Sequence, residues 1–137
     1  MTRSVRSLLR RPVVAVESTA TLADADAALR SDGLEAVAVV RDGRLVGLVT
    51  ADDLVAARPS AATTLSIGEI NGALATIPIQ SIMRRDIATI APDTPIAEAA
   101  RLLRDGRGPL AVLEGGDLVG LVGTADLLAE LEQPEPF

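Results

Sequence analysis

The chain has 137 residues, of which 48% are hydrophobic, and a formal net charge of −6. This is enough apolar material for a hydrophobic core, so we predict a globular protein. Cysteine, histidine, tryptophan and tyrosine are absent, which excludes thiol or imidazole catalysis and zinc sites with sulfur or nitrogen ligands. Carboxylates remain, but none stands in a pattern that implies a raised pKa, so we expect no enzyme.

Charge and hydropathy also limit the partners. An acidic chain with a single aromatic residue offers little attraction for phosphate backbones and no rings for base stacking, so nucleic-acid binding is not expected. The longest purely apolar run, residues 36–40, is far shorter than the roughly 20 residues that cross a bilayer. The N-terminal residues lack the apolar run and cleavage pattern of a signal peptide. We therefore predict a cytoplasmic protein without a membrane span.

The first half of the chain predicts five elements. A strand segment, SLLRRPVVAV (7–16), precedes the helical pattern TLADADAALRSDG, which has apolar residues at Leu22, Ala25 and Leu29. The runs AVAVV and RLVGLV are predicted strands joined by a glycine-containing turn, and the second helix begins at TADDL. We assign residues 1–58 to this first repeat.

Residues 59–77 are predicted to form a linker with a short amphipathic helix. Pro59 ends the preceding helix, and LSIGEI contains a capping box in which Ser66 caps the helix and Glu69 reaches back. Helical spacing places four apolar residues on one stripe of this helix: Ile67, Ile70, Leu74 and Ile77. Amphipathicity alone favours a stripe that covers the core, and the alternative is a stripe that faces a second subunit.

The second half predicts the same order of elements. The segment SIMRRDIATI (81–90) matches residues 7–16, and TPIAEAARLLRDG is a helix with Thr94 as N-cap and Pro95 as first helical residue. The runs LAVL and DLVGLV are predicted strands around a glycine-rich turn, and a final helix follows. We assign residues 78–132 to the second repeat and 133–137 to a C-terminal tail.

An internal repeat is the strongest signal in the chain. Residues 43–57 and 116–130 share nine identities in fifteen positions, among them Asp53 with Asp126. A half of roughly sixty residues would be marginally stable alone, so we expect the two halves to share one core. The predicted fold is α+β, with two βαββα repeats packed as a pseudo-twofold pair.

This pattern resembles the paired cystathionine-β-synthase (CBS) domains of the Bateman module. The resemblance covers about residues 5–131 and is carried by GLVTADDL, by SIMRRDIATIAPDTPIAEAARLL and by the order of the elements. The linker LSIGEINGALATIPIQSIM is further similar to stand-alone CBS pairs related to acetoin-utilisation proteins. The resemblance implies adenosine-containing ligands, bound in clefts between the repeats, and a homodimer.

Thr50 and Asp53 are the leading candidates for ligand binding. They stand at i and i+3 where a strand runs into a helix, so a hydroxyl, backbone N–H groups and a carboxylate converge at a place for a phosphate and a ribose diol. The alternative is a capping box that needs no ligand. In the second copy Gly123 replaces the threonine and cannot form the reciprocal box. Asp126 nevertheless persists, which indicates another role for its carboxylate.

The resemblance assigns ligand contacts residue by residue. It implies that Asp53 holds the ribose hydroxyls and that Thr50 meets a phosphate or the sugar edge. In the first site it adds the backbone lining the adenine, at Leu34, Glu35 and Ala36, which otherwise serve as ordinary core or loop. In the second site it points to Asp126, to Gly123 with neighbouring Thr124, to Gly108 and Pro109 after Arg107, and to Thr94.

Two departures from the family pattern bear on the ligand. Ala38 and Ala111 replace the proline of the Leu-Pro-Val signature, and alanines stand in place of the basic residues inside Thr-x-x-Asp. A polyphosphate would need other cations, from Arg10, Arg11, Arg84 or Arg85, for which solvated surface charge is the favoured interpretation. The acidic balance favours a monophosphate such as AMP, or S-adenosylmethionine, over ATP.

Two functions remain open on these grounds. The first is a non-catalytic sensor that binds an adenine nucleoside or nucleotide, or S-adenosylmethionine, and signals to an unidentified partner protein. The second is a ligand-independent scaffold that dimerises and presents an interaction surface. Neither requires a cofactor or a metal.

Overall fold

Residues 3–9, 13–32, 36–57 and 67–132 are described by a computed structural model of the protein. They fall into two units. The contiguous unit comprises Val14–Arg85, and the split unit combines Met1–Val13 with Asp86–Phe137. Both units contain helices and a three-stranded sheet, so the predicted α+β class is confirmed.

The contiguous unit is a three-stranded sheet with helices. Its strand order is β1-β2-β3, with β1 parallel to β2 and β2 antiparallel to β3. The β2–β3 turn has positive φ at Asp42 and Gly43, as two-residue hairpins require. Its elements are β1 (Ala15–Glu17), α1 (Leu22–Asp32), β2 (Ala36–Arg41), β3 (Arg44–Thr50), α2 (Ala51–Ala57), α3 (Ile67–Thr76) and a 3₁₀ turn (Ile79–Ser81).

The linker helix α3 contributes to the core of the contiguous unit. Leu74 is 1% exposed, and Ile77 packs against the same core, which confirms that the stripe covers the core at these two positions. The side chains of Ile67 and Ile70, and the predicted cap Ser66, lie outside the described part. The buried members of this core are Leu22, Ala25, Leu29, Val37, Val39, Val49, Leu54, Leu74, Ile79 and Met83.

The split unit repeats this architecture with its own core. Its strand order is β4-β5-β6, again with one parallel and one antiparallel pair. Its elements are a 3₁₀ turn (Val5–Leu8), β4 (Thr89–Ile90), α4 (Ile96–Arg104), β5 (Leu110–Glu114), β6 (Asp117–Val122) and α5 (Thr124–Glu132). Its core consists of Val5, Leu8, Ala99, Leu110, Val112 and Val122.

The start of α4 differs from the prediction by one residue. Pro95 is the N-cap, with extended backbone angles, and the helix begins at Ile96. Thr94 therefore does not cap the helix. Its hydroxyl oxygen instead accepts the Ala91 N–H at 3.0 Å and closes the preceding turn.

Each unit contains the leading segment of the other sequence repeat, which is the segment with which that repeat begins. In the split unit, the Val5 N–H donates to the Thr94 carbonyl at 2.8 Å. In the contiguous unit, the Ile79 N–H donates to the Ala20 carbonyl at 2.9 Å. The units thus cross the predicted repeat boundaries. Among the described residues, most buried side chains belong to one cluster in each unit, while Ala38, Leu48 and Ala111 are buried outside both clusters. The expectation of one shared core stays a prediction.

The lengths of the helices also bear on membrane association. Among the described residues, no helix is long and apolar enough to cross a membrane.

Candidate functional site

The candidate site of the contiguous unit lies where β3 ends and α2 begins. The Thr50 N–H donates to Asp53 Oδ2 at 3.0 Å, and the Asp53 N–H donates to Thr50 Oγ1 at 3.1 Å. These two bonds form a reciprocal capping box, which satisfies backbone donors at the start of a helix. The capping box, which the sequence offered as the alternative to a ligand site at this residue pair, is therefore present. It fixes the carboxylate of Asp53 at the end of β3.

Arg84 is the second partner of Asp53. Its Nε and Nη2 lie 3.3 and 3.2 Å from Asp53 Oδ1, and Nε lies 3.2 Å from Oδ2. The side chains are 46% exposed for Arg84 and 20% exposed for Asp53. Arg84 is therefore exposed, as the surface-charge interpretation expects, and its guanidinium is in addition paired with Asp53. Local sequence gave no signal for this contact, since the two residues are 31 positions apart.

The backbone of Arg84 is held beside β3. The Arg84 N–H donates to the Leu48 carbonyl at 2.8 Å, and the Leu48 N–H donates to the Arg84 carbonyl at 2.9 Å. Leu48 and Thr50 point to the same face of the strand, because side chains alternate along it. This backbone pairing keeps the guanidinium within reach of the end of β3.

Gly47 is what allows this close approach. A Cβ built on Gly47 would lie 2.6 Å from Met83 Sδ and 3.1 Å from the Arg84 carbonyl oxygen. Gly120 has the matching position in the split unit, where a Cβ would lie 2.5 Å from Leu9 Cδ2. The glycine that both repeats share therefore makes room for the segment that each unit receives from the other repeat.

The carboxylate of Asp53 is stabilised in its ionised form. Partial burial acts to raise its pKa, but the hydrogen bonds from Thr50 and then the bonds and positive charge of Arg84 outweigh burial and lower it. Asp53 is therefore ionised at neutral pH and acts as an acceptor only. Such a carboxylate can receive hydrogen bonds from the two hydroxyls of a ribose.

In the split unit the aspartate keeps half of the box. The Gly123 N–H donates to Asp126 Oδ2 at 2.7 Å, and this bond needs no side chain at position 123. The reciprocal box is absent, as predicted, but this contact by itself accounts for an aspartate at position 126, so a further role for its carboxylate stays a prediction. Thr124 is exposed at the first position of α5.

The other candidates are only partly brought together. Ala36 is buried at the start of β2 and pairs directly with Thr50 across the sheet, so the last residue of the predicted adenine-lining segment lies beside the candidate site. Leu34 and Glu35 lie outside the described residues. Gly108 and Pro109 are partly buried just before β5, while Thr94 is engaged in its own turn.

Of the remaining candidate cations, only Arg85 belongs to the described residues. Arg10 and Arg11 lie outside the described residues, and Arg85 is exposed. Within the described ranges no group of three or more acidic side chains could hold a metal ion.

Known proteins of similar sequence include CBS proteins. A CBS domain-containing protein from Dictyostelium discoideum is 32% identical over 127 residues, which covers 90% of this chain and 88% of that protein. An A-adding tRNA nucleotidyltransferase from Aquifex aeolicus is 27% identical over 131 residues, or 94% of this chain. The chain spans only 14% of that enzyme's length, so this match concerns a small part of the enzyme.

Solved structures share the fold. A CBS domain protein from Pyrobaculum aerophilum complexed with AMP has a TM-score of 0.75 at 24% identity, covering 94% of this chain and 98% of that chain. An acetoin-utilization-related protein from Vibrio cholerae has a TM-score of 0.74 at 24% identity, covering 99% and 100%. The profile of the CBS domain matches residues 5–60 and 79–133 of this chain. With both repeats matched, the chain belongs to the CBS domain family.

Proposed function

We propose that this chain is a non-catalytic regulatory module that binds an adenosine-containing ligand at Asp53 and signals the bound state to a partner protein. The observation that carries the proposal is the ionised, partly buried carboxylate of Asp53 at the end of β3. A structure of the same fold, from Pyrobaculum aerophilum, is complexed with AMP, which supports an adenine nucleotide as the class of ligand.

The proposed binding mode follows from what surrounds Asp53. The two ribose hydroxyls donate to the carboxylate, which is an acceptor only. The adenine lies along the backbone at the start of β2, since Ala36 pairs with Thr50 across the sheet. Hydrogen bonds from backbone groups at a strand end can distinguish the edge of adenine from that of other bases. Asp126 is proposed as the matching ribose-binding residue of the split unit.

The first prediction is that AMP binds the full-length, ligand-free protein with a dissociation constant in the micromolar range or weaker. Calorimetry measures this directly. A ligand at about 100 times its dissociation constant should also stabilise the protein by roughly 2.7 kcal/mol, which thermal unfolding detects. ADP, ATP and S-adenosylmethionine are titrated in parallel.

Two matched variants assign the binding to Asp53. Asp53→Asn keeps the shape but removes the negative charge, and it should weaken AMP binding about tenfold or more. Asp52→Ala removes an exposed charge from the same turn and should leave binding unchanged. Absence of heat with all four ligands, on protein shown to be ligand-free, would contradict the proposed function.

A scaffold that needs no ligand is the second candidate. It is favoured by one observation: both aspartates are already bonded to the backbone of their own unit, at Thr50 and at Gly123. On this alternative the two aspartates are conformational caps, and the protein acts by presenting a surface. The titration described above separates the two candidates, because only the sensor responds to adenosine ligands.

We propose in addition that the protein is a homodimer. Among the described residues, large apolar side chains remain exposed on α2 and α5, where the exposed fractions are 68% for Val55, 54% for Leu128 and 80% for Leu131. Symmetric pairing of two copies is the commonest way to cover such residues. Light scattering at tens of micromolar should give about twice the monomer mass of 14.1 kDa. A mass equal to the monomer would contradict the dimer.

A further inference from the structure

The carboxylate of Asp53 is nearly fully occupied. A carboxylate offers about four lone-pair sites to donors. The Thr50 N–H takes one on Oδ2, and the Arg84 guanidinium approaches both oxygens through Nε and Nη2. A ribose diol brings two more donors. The diol and the guanidinium therefore compete for the same oxygens.

Arg84 is the partner that can leave. The Thr50 N–H belongs to the backbone at the start of α2 and is held by the capping box. The Arg84 side chain is 46% exposed and has a long flexible stem. Its backbone stays in place, because its N–H and carbonyl are both bonded to Leu48. A displaced guanidinium thus remains tethered beside the bound ribose.

We propose, resting on the proposed function, that Arg84 makes the Asp53 site selective for phosphorylated adenosines over adenosine itself. Adenosine displaces the guanidinium and offers it no new anion, so the lost ion pair is not replaced. The phosphate of AMP lies next to the ribose and accepts the guanidinium through two parallel hydrogen bonds, the geometry that arginine favours. The ion pair of the free protein is thereby exchanged for one with the ligand.

The same exchange bears on a cationic ligand. S-adenosylmethionine carries a positive sulfonium attached to the ribose, close to the place where the released guanidinium lies. Two positive charges at that distance repel each other in a partly buried site. The order of affinity at Asp53 is therefore AMP above adenosine, with S-adenosylmethionine no tighter than adenosine. The sequence by itself favoured a monophosphate or S-adenosylmethionine over a triphosphate and left the choice between these two open.

The test is calorimetric titration of the full chain with AMP and with adenosine. The wild type should bind AMP about tenfold or more tightly than adenosine. Arg84→Gln should lose most of that ratio, through weaker AMP binding and unchanged or tighter adenosine binding. Arg84→Lys keeps the charge without the two parallel bonds and should retain part of the ratio. Arg85→Gln removes the neighbouring exposed charge and should leave the ratio unchanged.

The outcomes separate this inference from the function on which it rests. If Arg84→Gln binds both ligands with the wild-type ratio, Arg84 does not select and the inference is overturned. If Arg84→Gln tightens both ligands equally, Arg84 is a competitor alone, which also overturns it. Failure of the wild type to bind either ligand contradicts the proposed function itself. Thermal midpoints without ligand show that each variant is folded.

Discussion

Two fragments produced by cutting the chain between residues 61 and 62 should both be unfolded when separate. The fragment 1–61 lacks Leu74, Ile79 and Met83, which are core residues of the contiguous unit. The fragment 62–137 lacks Val5 and Leu8, which are core residues of the split unit. Losing two such side chains costs about 4 to 10 kcal/mol. That is comparable to the whole stability of a unit of this size, about 4 to 10 kcal/mol.

The matched control is the fragment 14–85. It is similar in length to 1–61 but contains every described segment of the contiguous unit. It should show a cooperative thermal transition by circular dichroism, while 1–61 should show none. Mixing 1–61 with 62–137 should restore a folded species, because each fragment supplies the other's missing segment. A folded 1–61 beside an unfolded 14–85 would mean that the exchange of segments is not what stabilises the units.

The two adenosine sites should be unequal, with Asp53 the stronger for phosphorylated ligands. Asp53 is held by a reciprocal capping box, whereas Asp126 is held by the Gly123 N–H without a side-chain partner at that position. A carboxylate fixed before binding loses less freedom on binding. Thr50 also has a side-chain hydroxyl, where Gly123 offers only its backbone. A hydrogen bond to a charged group contributes about 1.5 to 3 kcal/mol, or one to two orders of magnitude in affinity.

The measurement is a pair of AMP titrations on Asp53→Ala and Asp126→Ala. Removing Asp53 should cost more binding than removing Asp126. Because each substitution also removes a helix cap, the thermal midpoint of each variant is measured without and with AMP, and the ligand-induced shift is compared. A larger loss in Asp126→Ala would assign the principal site to the split unit, where glycine permits a closer approach of the anion to the backbone.

Sequence patterns predicted what depends on near neighbours. Apolar periodicity located α1 and α4, and the glycine-containing turns located the hairpins β2–β3 and β5–β6. The box between Thr50 and Asp53 followed from spacing alone, since residues three apart meet at a helix start. At Asp126 the sequence predicted the loss of the reciprocal box but not the backbone bond that remains. A carboxylate can reach a backbone N–H whatever side chain stands there.

Contacts between segments far apart in the chain could not be predicted from the sequence. Nothing in the pattern near residue 84 says that its side chain pairs with Asp53 or that its backbone pairs with Leu48. The exchange of leading segments was hidden for a related reason: both repeats have the same pattern, so either leading segment could pack on either repeat. The glycines at 47 and 120 are the sequence feature that reflects this packing, because a Cβ there would collide with Met83 or Leu9.

The exchange of leading segments between the two repeats also sets the order in which core residues are buried during synthesis. All of the contiguous unit, Val14–Arg85, is synthesised before the main part of the split unit, Asp86–Phe137. Segments of about this size fold as they are completed, N-terminal ones first. Val5 and Leu8 are synthesised before the contiguous unit, but the core residues that they pack against lie beyond residue 85. Their side chains can therefore join this core only after β5 and β6 have been synthesised. Val5 and Leu8 are thus synthesised before the contiguous unit but join their core after it.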